Sequence, residues 1–137
     1  MKFCTETFLT VQFYDLDPMN VVWHGNYIKY LETARCDLLD KLGYSYDNMA
    51  NDGIMYPVAT MDLKFIKPCY FNQKLKVVSS LEEIEPCMII KYTIFDAVTG
   101  EKLFKAKTMQ ICVNRLTNES VYSAPEGLKD KLACCNL

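Results

Sequence analysis

The spacing of hydrophobic residues changes near residue 24. Before that point a mainly alternating pattern predicts a first strand over 3–14, with apolar positions at Phe8, Leu9, Val11, Phe13 and Leu16. After it, apolar residues recur every three or four positions, as in an amphipathic helix: Tyr27, Leu31, Ala34, Leu38 and Leu42. We predict this helix over 26–42, ended by Gly43, because glycine adopts the left-handed conformation at low cost.

The rest of the chain returns mainly to a period of two. Strands are predicted over 54–66, 74–84, 88–97 and 102–115, with a hairpin turn at Thr99-Gly100 between the last two. A helical turn over 45–51, with Ser45 as its N-cap, precedes them, and a short helix over 125–133 follows. The short connections predict that the four strands are antiparallel neighbours in a meander.

One strand, one long helix and four further strands predict an α+β fold, in which an antiparallel sheet wraps the helix. With 137 residues the chain is expected to form a single domain over 1–137. Runs such as Met88-Ile89-Ile90 supply apolar side chains to both faces of a strand. A second copy of the chain is the simplest cover for the outer face and edges of the sheet, so we expect a homo-oligomer.

Composition narrows the function classes. Half of the residues are hydrophobic and the net charge is −2, which argues against disorder and against a dedicated nucleic-acid binder. No apolar run is long enough for a signal peptide or a membrane span, so a cytoplasmic protein is expected. One histidine and seven scattered cysteines without CxxC spacing disfavour a zinc site, and we expect neither metal nor cofactor.

The loop between the first strand and the helix carries the best candidates for chemistry. Asp17 and the single histidine, His24, lie seven residues apart, with Gly25 next to His24. A carboxylate and an imidazole beside a helix N-terminus could polarise a carbonyl, because the backbone N–H groups there are unpaired. The plainer alternatives are that Asp17 caps a turn before Pro18, and that His24 fills a pocket at the helix start.

Other residues are weaker candidates for binding. Trp23 and Tyr27 could line an acyl pocket, although such residues more often belong to the core. Four lysines flank the Pro68 turn and could hold a phosphate, although lysines around a turn usually face solvent: Lys64, Lys67, Lys74 and Lys76. The chain has neither a phosphate-binding glycine loop nor a dinucleotide fingerprint.

The run YDLDPMNVVWHGNYIKYLETAR resembles the signature of hot-dog-fold acyl-CoA thioesterases of the 4-hydroxybenzoyl-CoA thioesterase class, which includes relatives associated with the Tol-Pal system. The similarity continues through MDLKFIKPCYFNQKLKV to about residue 115. The resemblance implies a long helix wrapped by an antiparallel sheet. It also implies a homodimer or homotetramer with active sites at the subunit interface, and an acyl-CoA substrate.

Matched position by position, the resemblance assigns the catalytic carboxylate to Asp17 and the oxyanion donor at the helix start to His24, with Gly25 beside it. Some family members carry a tyrosine four residues before the aspartate, where this chain has Phe13. The acyl group is expected near Trp23, Tyr27, Pro57, Val58, Thr60 and Met61. A 3-hydroxyacyl-thioester dehydratase or hydratase and a non-catalytic acyl-thioester binding protein are the alternatives, and acyl-carrier-protein substrates stay open.

Overall fold

The computed structural model describes residues 3–135 and contains three α-helices and eight strands there. The helices are α1 (Asn26–Leu42), α2 (Tyr46–Asn51) and α3 (Glu126–Cys135). The strands are β1 (Phe3–Thr10), β2 (Ile54–Met55), β3 (Val58–Phe65), β4 (Lys74–Glu83), β5 (Met88–Asp96), β6 (Lys102–Gln110), β7 (Cys112–Asn114) and β8 (Ser120–Val121). A long helix against an antiparallel sheet confirms the predicted α+β class.

The main sheet has five antiparallel strands in the order β1-β4-β5-β6-β3. The predicted meander is therefore wrong for one strand. Only β4, β5 and β6 follow one another as neighbours, whereas β3 pairs with β6 at one edge and β1 with β4 near the other. Connection length alone did not predict this order, because the pairing of β3 with β6 joins residues about 40 to 50 positions apart.

Two predicted strands are interrupted. Pro57, which has no N–H for a ladder bond, separates β2 from β3, and Ile111 separates β6 from β7. The Ile111 N–H donates to the Pro57 carbonyl at 3.1 Å, so the two breaks lie side by side. Beyond them, β2, β7 and β8 form a small second sheet.

The first strand is also shorter than predicted, ending at Thr10 instead of residue 14. A short 3-10 helix over Phe13–Asp15 follows it. The Asp15 carboxylate accepts a hydrogen bond from the Gln12 N–H at 2.9 Å, and this local bond replaces the ladder that an alternating pattern predicts.

Helix α1 has the predicted bounds and buries the predicted stripe. All five stripe residues are buried: Tyr27, Leu31, Ala34, Leu38 and Leu42. They pack against the inner face of the sheet, which presents Leu75, Val77, Leu81, Ile90, Tyr92 and Ile94. Each large apolar side chain removed from water in this way stabilises the fold by about 1.5–3 kcal/mol. The helix is therefore firmly fixed to the sheet.

The inner face is less well covered at β3, which forms one edge of the sheet while β1 forms the other. Met61 and Leu63 are only half-buried there, and Phe65 is 49 % exposed.

Among the helices of the described residues, none is long and apolar enough to span a membrane.

Candidate active site

A small hairpin places Asp17 at its turn. Leu16 and Val22 form an isolated antiparallel bridge that closes the hairpin. The Asp17 N–H donates to the Val21 carbonyl, and the Asn20 N–H donates to the Asp17 carbonyl, both at 2.9 Å. Asn20 adopts the left-handed conformation, with φ of 64°, which asparagine tolerates better than most residues. The backbone on both sides of Asp17 is thus held by hydrogen bonds.

The Asp17 carboxylate caps this turn, as the plainer alternative predicted. Its Oδ1 accepts the Met19 N–H at 2.8 Å. No group within residues 3–135 hydrogen-bonds to Oδ2, and the side chain is only half-buried. Capping uses one oxygen and orients the carboxylate, so the other oxygen is available for chemistry.

The start of α1 leaves two backbone donors open. The Asn26 N–H bonds to the Trp23 carbonyl at 2.9 Å, which closes a turn over His24 and Gly25. Neither the His24 N–H nor the Gly25 N–H has an acceptor in the described part of the chain, and Gly25, the N-cap, offers no capping side chain. Unpaired N–H groups at a helix start are the donors that an oxyanion requires.

The Trp23 indole packs directly against Gly25, in the space that a Cβ would occupy. A Cβ on Gly25 would lie 2.2 Å from the Trp23 ring, closer than any real contact. The indole also lies beside His24, with ring centroids 5.2 Å apart. Trp23 thus packs across the helix start and next to the exposed imidazole.

One cavity of about 260 Å³ joins these elements. Its lining combines the hairpin, the start of α1 and the segment after β3: Asp17, Met19, Val21, Val22, His24, Tyr27, Phe65, Ile66, Lys67 and Pro68. The Val22 N–H donates to the Cys69 carbonyl at 2.9 Å and ties the hairpin to that segment. The structure therefore brings Asp17, His24, Tyr27 and Lys67 together around one cavity, whereas Trp23, also a predicted pocket residue, does not line it.

Tyr27 forms the inner wall of this cavity. Its ring stacks on Phe104 at 4.7 Å and meets Phe65 edge-on at 5.1 Å. Burial, together with the hydrogen bond to Cys69, raises the pKa of the Tyr27 hydroxyl well above its usual range. Tyr27 therefore stays neutral and provides an apolar, aromatic wall.

Two of the predicted lysines, Lys64 and Lys67, lie in different places. Lys67 lines the cavity, but its ammonium group is paired with Glu101. Lys64 lies on the outer face of the sheet, in a second cavity of about 470 Å³. That cavity is also lined by Lys91, Lys105 and Lys107.

The remaining predicted substrate residues do not line the Asp17 cavity within one chain. They lie just before β3 or in its first half: Pro57, Val58, Thr60 and Met61. Met61 is four residues from Phe65, or about 13 Å along an extended strand. These residues lie at the end of β3 that is farther from the cavity.

Three polar residues behind the cavity were not predicted as site residues. Asp15 is 8 % exposed and Asn26 is 7 % exposed. The Asn26 amide donates to the Asp15 carbonyl, and the Tyr30 hydroxyl donates to the Asp15 carboxylate. Tyr30 lies four residues after Asn26 on α1, so helical periodicity could have placed both on one face. Within residues 3–135, no group of three or more His, Cys, Asp and Glu side chains could hold a metal ion.

Comparison with known proteins identifies the family. The model of the thioesterase-like superfamily matches residues 11–132. The 1,4-dihydroxy-2-naphthoyl-CoA hydrolase of Thermosynechococcus vestitus is 26 % identical over 134 residues, covering 89 % of this chain and 91 % of the relative. The acyl-CoA thioesterase YbgC of Helicobacter pylori is 23 % identical over 117 residues, covering 82 % and 86 %.

A solved structure agrees with these sequence relatives. The DHNA-CoA thioesterase from Staphylococcus aureus superposes with a TM-score of 0.84 at 29 % identity, covering 97 % of this chain and 93 % of that one. The resemblance found in the sequence is thereby confirmed. The chain belongs to the thioesterase-like superfamily and is a thioester hydrolase with the hot-dog fold.

Proposed function

We propose that this enzyme hydrolyses acyl-CoA thioesters in the Asp17 cavity. The observation that carries the proposal is that Asp17 and His24 line one cavity at the start of α1, where two N–H groups are unpaired in the described chain. Thioester hydrolysis needs a base or nucleophile and donors for the oxygen that becomes negative, and this arrangement supplies both. Two relatives that cover most of this chain are named for CoA thioesters, which favours CoA as the leaving group.

The free oxygen of Asp17 acts first. As a general base, Oδ2 takes a proton from water while the water oxygen bonds to the carbonyl carbon. The carbonyl oxygen becomes negative and accepts hydrogen bonds from the N–H groups of His24 and Gly25, each worth about 3–4 kcal/mol in such sites. The C–S bond then breaks, and the proton passes from Asp17 to the departing thiolate.

A nucleophilic route uses the same geometry. Oδ2 bonds to the carbonyl carbon, the thiolate leaves with a proton from solvent, and water hydrolyses the resulting anhydride to the free acid and Asp17. In both routes the exposed His24 ring is available for a hydrogen bond to the substrate, because it has no hydrogen-bond partner within the described residues.

The substitution Asp17→Asn tests the proposal. Asparagine keeps an oxygen for the Met19 N–H, so the turn should be retained while the base is lost. We expect thiol release from short-chain, long-chain and aromatic acyl-CoAs to fall by about 10²–10⁴-fold. Unchanged release would contradict the role of Asp17. Loss of water from a 3-hydroxyacyl-CoA without thiol release would favour a dehydratase, and binding without turnover in the wild type would favour a binding protein.

The outer face of the sheet is our candidate for binding the nucleotide of CoA. Lys91 lies directly opposite Lys107, and Lys105 lies opposite Lys64. None of the four ammonium groups forms an ion pair with a carboxylate of residues 3–135. Asp62 lies opposite Lys107 on its other side and lines the same cavity, so one carboxylate offsets part of this charge. Like charges facing each other across strands destabilise a sheet, and phosphate groups would relieve the remaining repulsion.

The double substitution Lys91→Ala with Lys107→Ala tests this part. We expect KM for acyl-CoA to rise by about tenfold with kcat unchanged, since phosphate binding is equal in the ground and transition states. Hydrolysis of the matching acyl-pantetheine, which lacks the nucleotide, should not change. Lys129→Ala, on α3, is a control that should leave both substrates unaffected. An equal loss on both substrates would contradict a nucleotide site.

We further propose that the enzyme is a homodimer or a pair of dimers. The strand β3 has a free edge and a half-covered inner face, and Ile28 on α1 is 38 % exposed. Antiparallel pairing of two β3 edges would cover this surface and bring the first half of the partner's β3 towards the cavity. The residues Pro57, Val58, Thr60 and Met61 would then line the substrate site from the second subunit.

Sedimentation equilibrium tests the assembly. We expect the mass of a dimer or tetramer, and a specific activity that falls on dilution together with the dissociation of the subunits. A fully active monomer would contradict the shared site.

We also propose a cytoplasmic location, because all seven cysteines are free thiols. Four of them are exposed and Cys87 is partly exposed, as suits a reducing compartment.

A further inference from the structure

Asp15 is a buried carboxylate directly behind the cavity. Only 8 % of its surface is exposed, and no lysine or arginine of the described chain forms an ion pair with it. Its Oδ2 instead accepts two neutral hydrogen bonds, from the Tyr30 hydroxyl at 2.8 Å and from the Gln12 N–H at 2.9 Å. A buried carboxylate held only by neutral donors is costly, and this cost points to a role for Asp15 in the site.

The main chain of the same residue binds the start of α1. The Asp15 carbonyl accepts the Trp23 N–H at 3.0 Å and the Asn26 side-chain amide at 2.8 Å. Asn26 is the first residue of α1, and Tyr30 lies one helical turn later. Asp15 therefore holds the first turn of the helix with its carbonyl and the second turn with its carboxylate.

Both halves of the proposed machinery are attached to this one residue. Asp17 follows it by two positions, and His24 follows Trp23, whose N–H binds the Asp15 carbonyl. Burial and the neighbouring Asp15 carboxylate raise the pKa of the Tyr30 hydroxyl, which keeps it a donor at any working pH. The distance from the Asp17 carboxylate to the open N–H groups thus depends on the hydrogen bonds of Asp15.

We propose that Asp15, with Tyr30 and Asn26, is the positioning network of the active site. It sets the place of the Asp17 carboxylate relative to the His24 and Gly25 N–H groups without touching the substrate. The inference rests on the proposed function, because it assumes that these groups act together on one carbonyl. Catalysis is sensitive to such placement, and a shift of about 1 Å can cost on the order of 10²-fold in rate.

The experiment compares Tyr30→Phe with Tyr44→Phe. Tyr44 also donates a hydrogen bond from a buried position to an aspartate, Asp52, at 2.7 Å, but at the other end of α1. The two variants remove the same kind of bond and should lose similar stability in urea. We expect Tyr30→Phe to lower kcat by about tenfold with KM within about twofold, and Tyr44→Phe to leave both unchanged. Equal kcat values for the two variants would overturn the proposal.

Two substitutions at Asp15 separate position from charge. Asn keeps an acceptor oxygen for Tyr30 and Gln12, so Asp15→Asn should keep kcat within about threefold of the wild type, whereas Asp15→Ala should lose about 10- to 100-fold. An equal loss in both would overturn a purely positional role. Asp17→Asn in the same assay distinguishes the two failures: if it stays active, the proposed function fails, and if only it is inactive, the positioning role fails.

Discussion

The two ends of helix α1 are built differently. At the C-terminal end Gly43 adopts φ of 89°, and its N–H and that of Tyr44 both donate to the Leu39 carbonyl at 3.0 Å. At the N-terminal end Gly25 has no side chain to accept a hydrogen bond, and two N–H groups are unpaired within residues 3–135. One end satisfies its backbone groups, while the other keeps donors open beside a cavity.

The C-terminal end of α1 is built for stability, and the open N-terminal end fits the proposed oxyanion site. The chain can cap a helix start where that is needed: at α2 the Ser45 hydroxyl accepts the Asn48 N–H, and the Asn48 side chain accepts the Ser45 N–H at 2.9 Å. With Gly25 as its N-cap, α1 forgoes a few tenths of a kcal/mol relative to a start with a capping side chain. We interpret this loss of stability as the consequence of leaving two N–H groups free for the proposed oxyanion site.

Gly25→Ala, at the open end of α1, should have the largest effect of the substitutions at the two ends. The new Cβ would force Trp23 away from the helix start and displace the open donors. We expect kcat/KM to fall by about 100-fold in a thiol-release assay. The free energy of unfolding in urea should stay within about 1 kcal/mol of the wild type, because Gly25 has an α-helical conformation that alanine also adopts and the indole is half-exposed. A fully active variant would show that the donors are not used.

Gly43→Ala is the counterpart at the other end. Alanine at a positive φ costs about 1–2 kcal/mol, so the free energy of unfolding should fall by that amount. The kcat per folded molecule should stay at the wild-type value in the same assays. A loss of kcat here would show that the two ends are coupled.

Ser45→Ala should remove the cap of α2. We expect a loss of about 1 kcal/mol in urea unfolding, with no change in kcat or KM. Ser45→Asp, which can cap equally well, should restore the stability. If Asp fails to do so, the hydroxyl is not acting as a cap.

Asp37 near the C-terminal end should give the smallest effect. Burial raises its pKa, but hydrogen bonds from Thr7 and Lys41, with the Lys41 charge, lower it by more, so its pKa lies below the usual value. A depressed pKa contributes stability that is present above about pH 4 and is lost as pH falls through the folded-state pKa. Asp37→Asn should therefore cost about 0.2–1 kcal/mol at pH 7 and nothing in strong acid, measured by unfolding across pH.

Local patterns predicted the helices well and the strand order poorly. The bounds of α1 follow from its apolar stripe and Gly43, both of which act within a few residues. The pairing of β3 with β6 depends on where a distant segment packs, and the spacing of apolar residues within either strand does not indicate this. Likewise Pro57 was visible in the sequence, but its position beside Ile111, where β6 ends, was not.

The site was predicted in part for the same reason. Asp17, His24 and Gly25 lie in one short loop, so the sequence itself places them together. The burial of Asp15 could not be predicted. It depends on the path of the chain after the 3-10 helix and on the hydrogen bond from Tyr30, which lies on α1 fifteen residues later. The outer lysine cavity likewise combines residues of three strands.

The turn at Asp17 has a practical consequence for trapping the enzyme with its substrate. The side chain serves two purposes at once, since one oxygen holds the Met19 N–H and the other is free. Replacing it with Asn separates the two, because the amide oxygen preserves the turn while the charge disappears. Crystals of Asp17→Asn soaked with an intact thioester should therefore capture the ligand in an undistorted site and reveal which acyl group it accommodates.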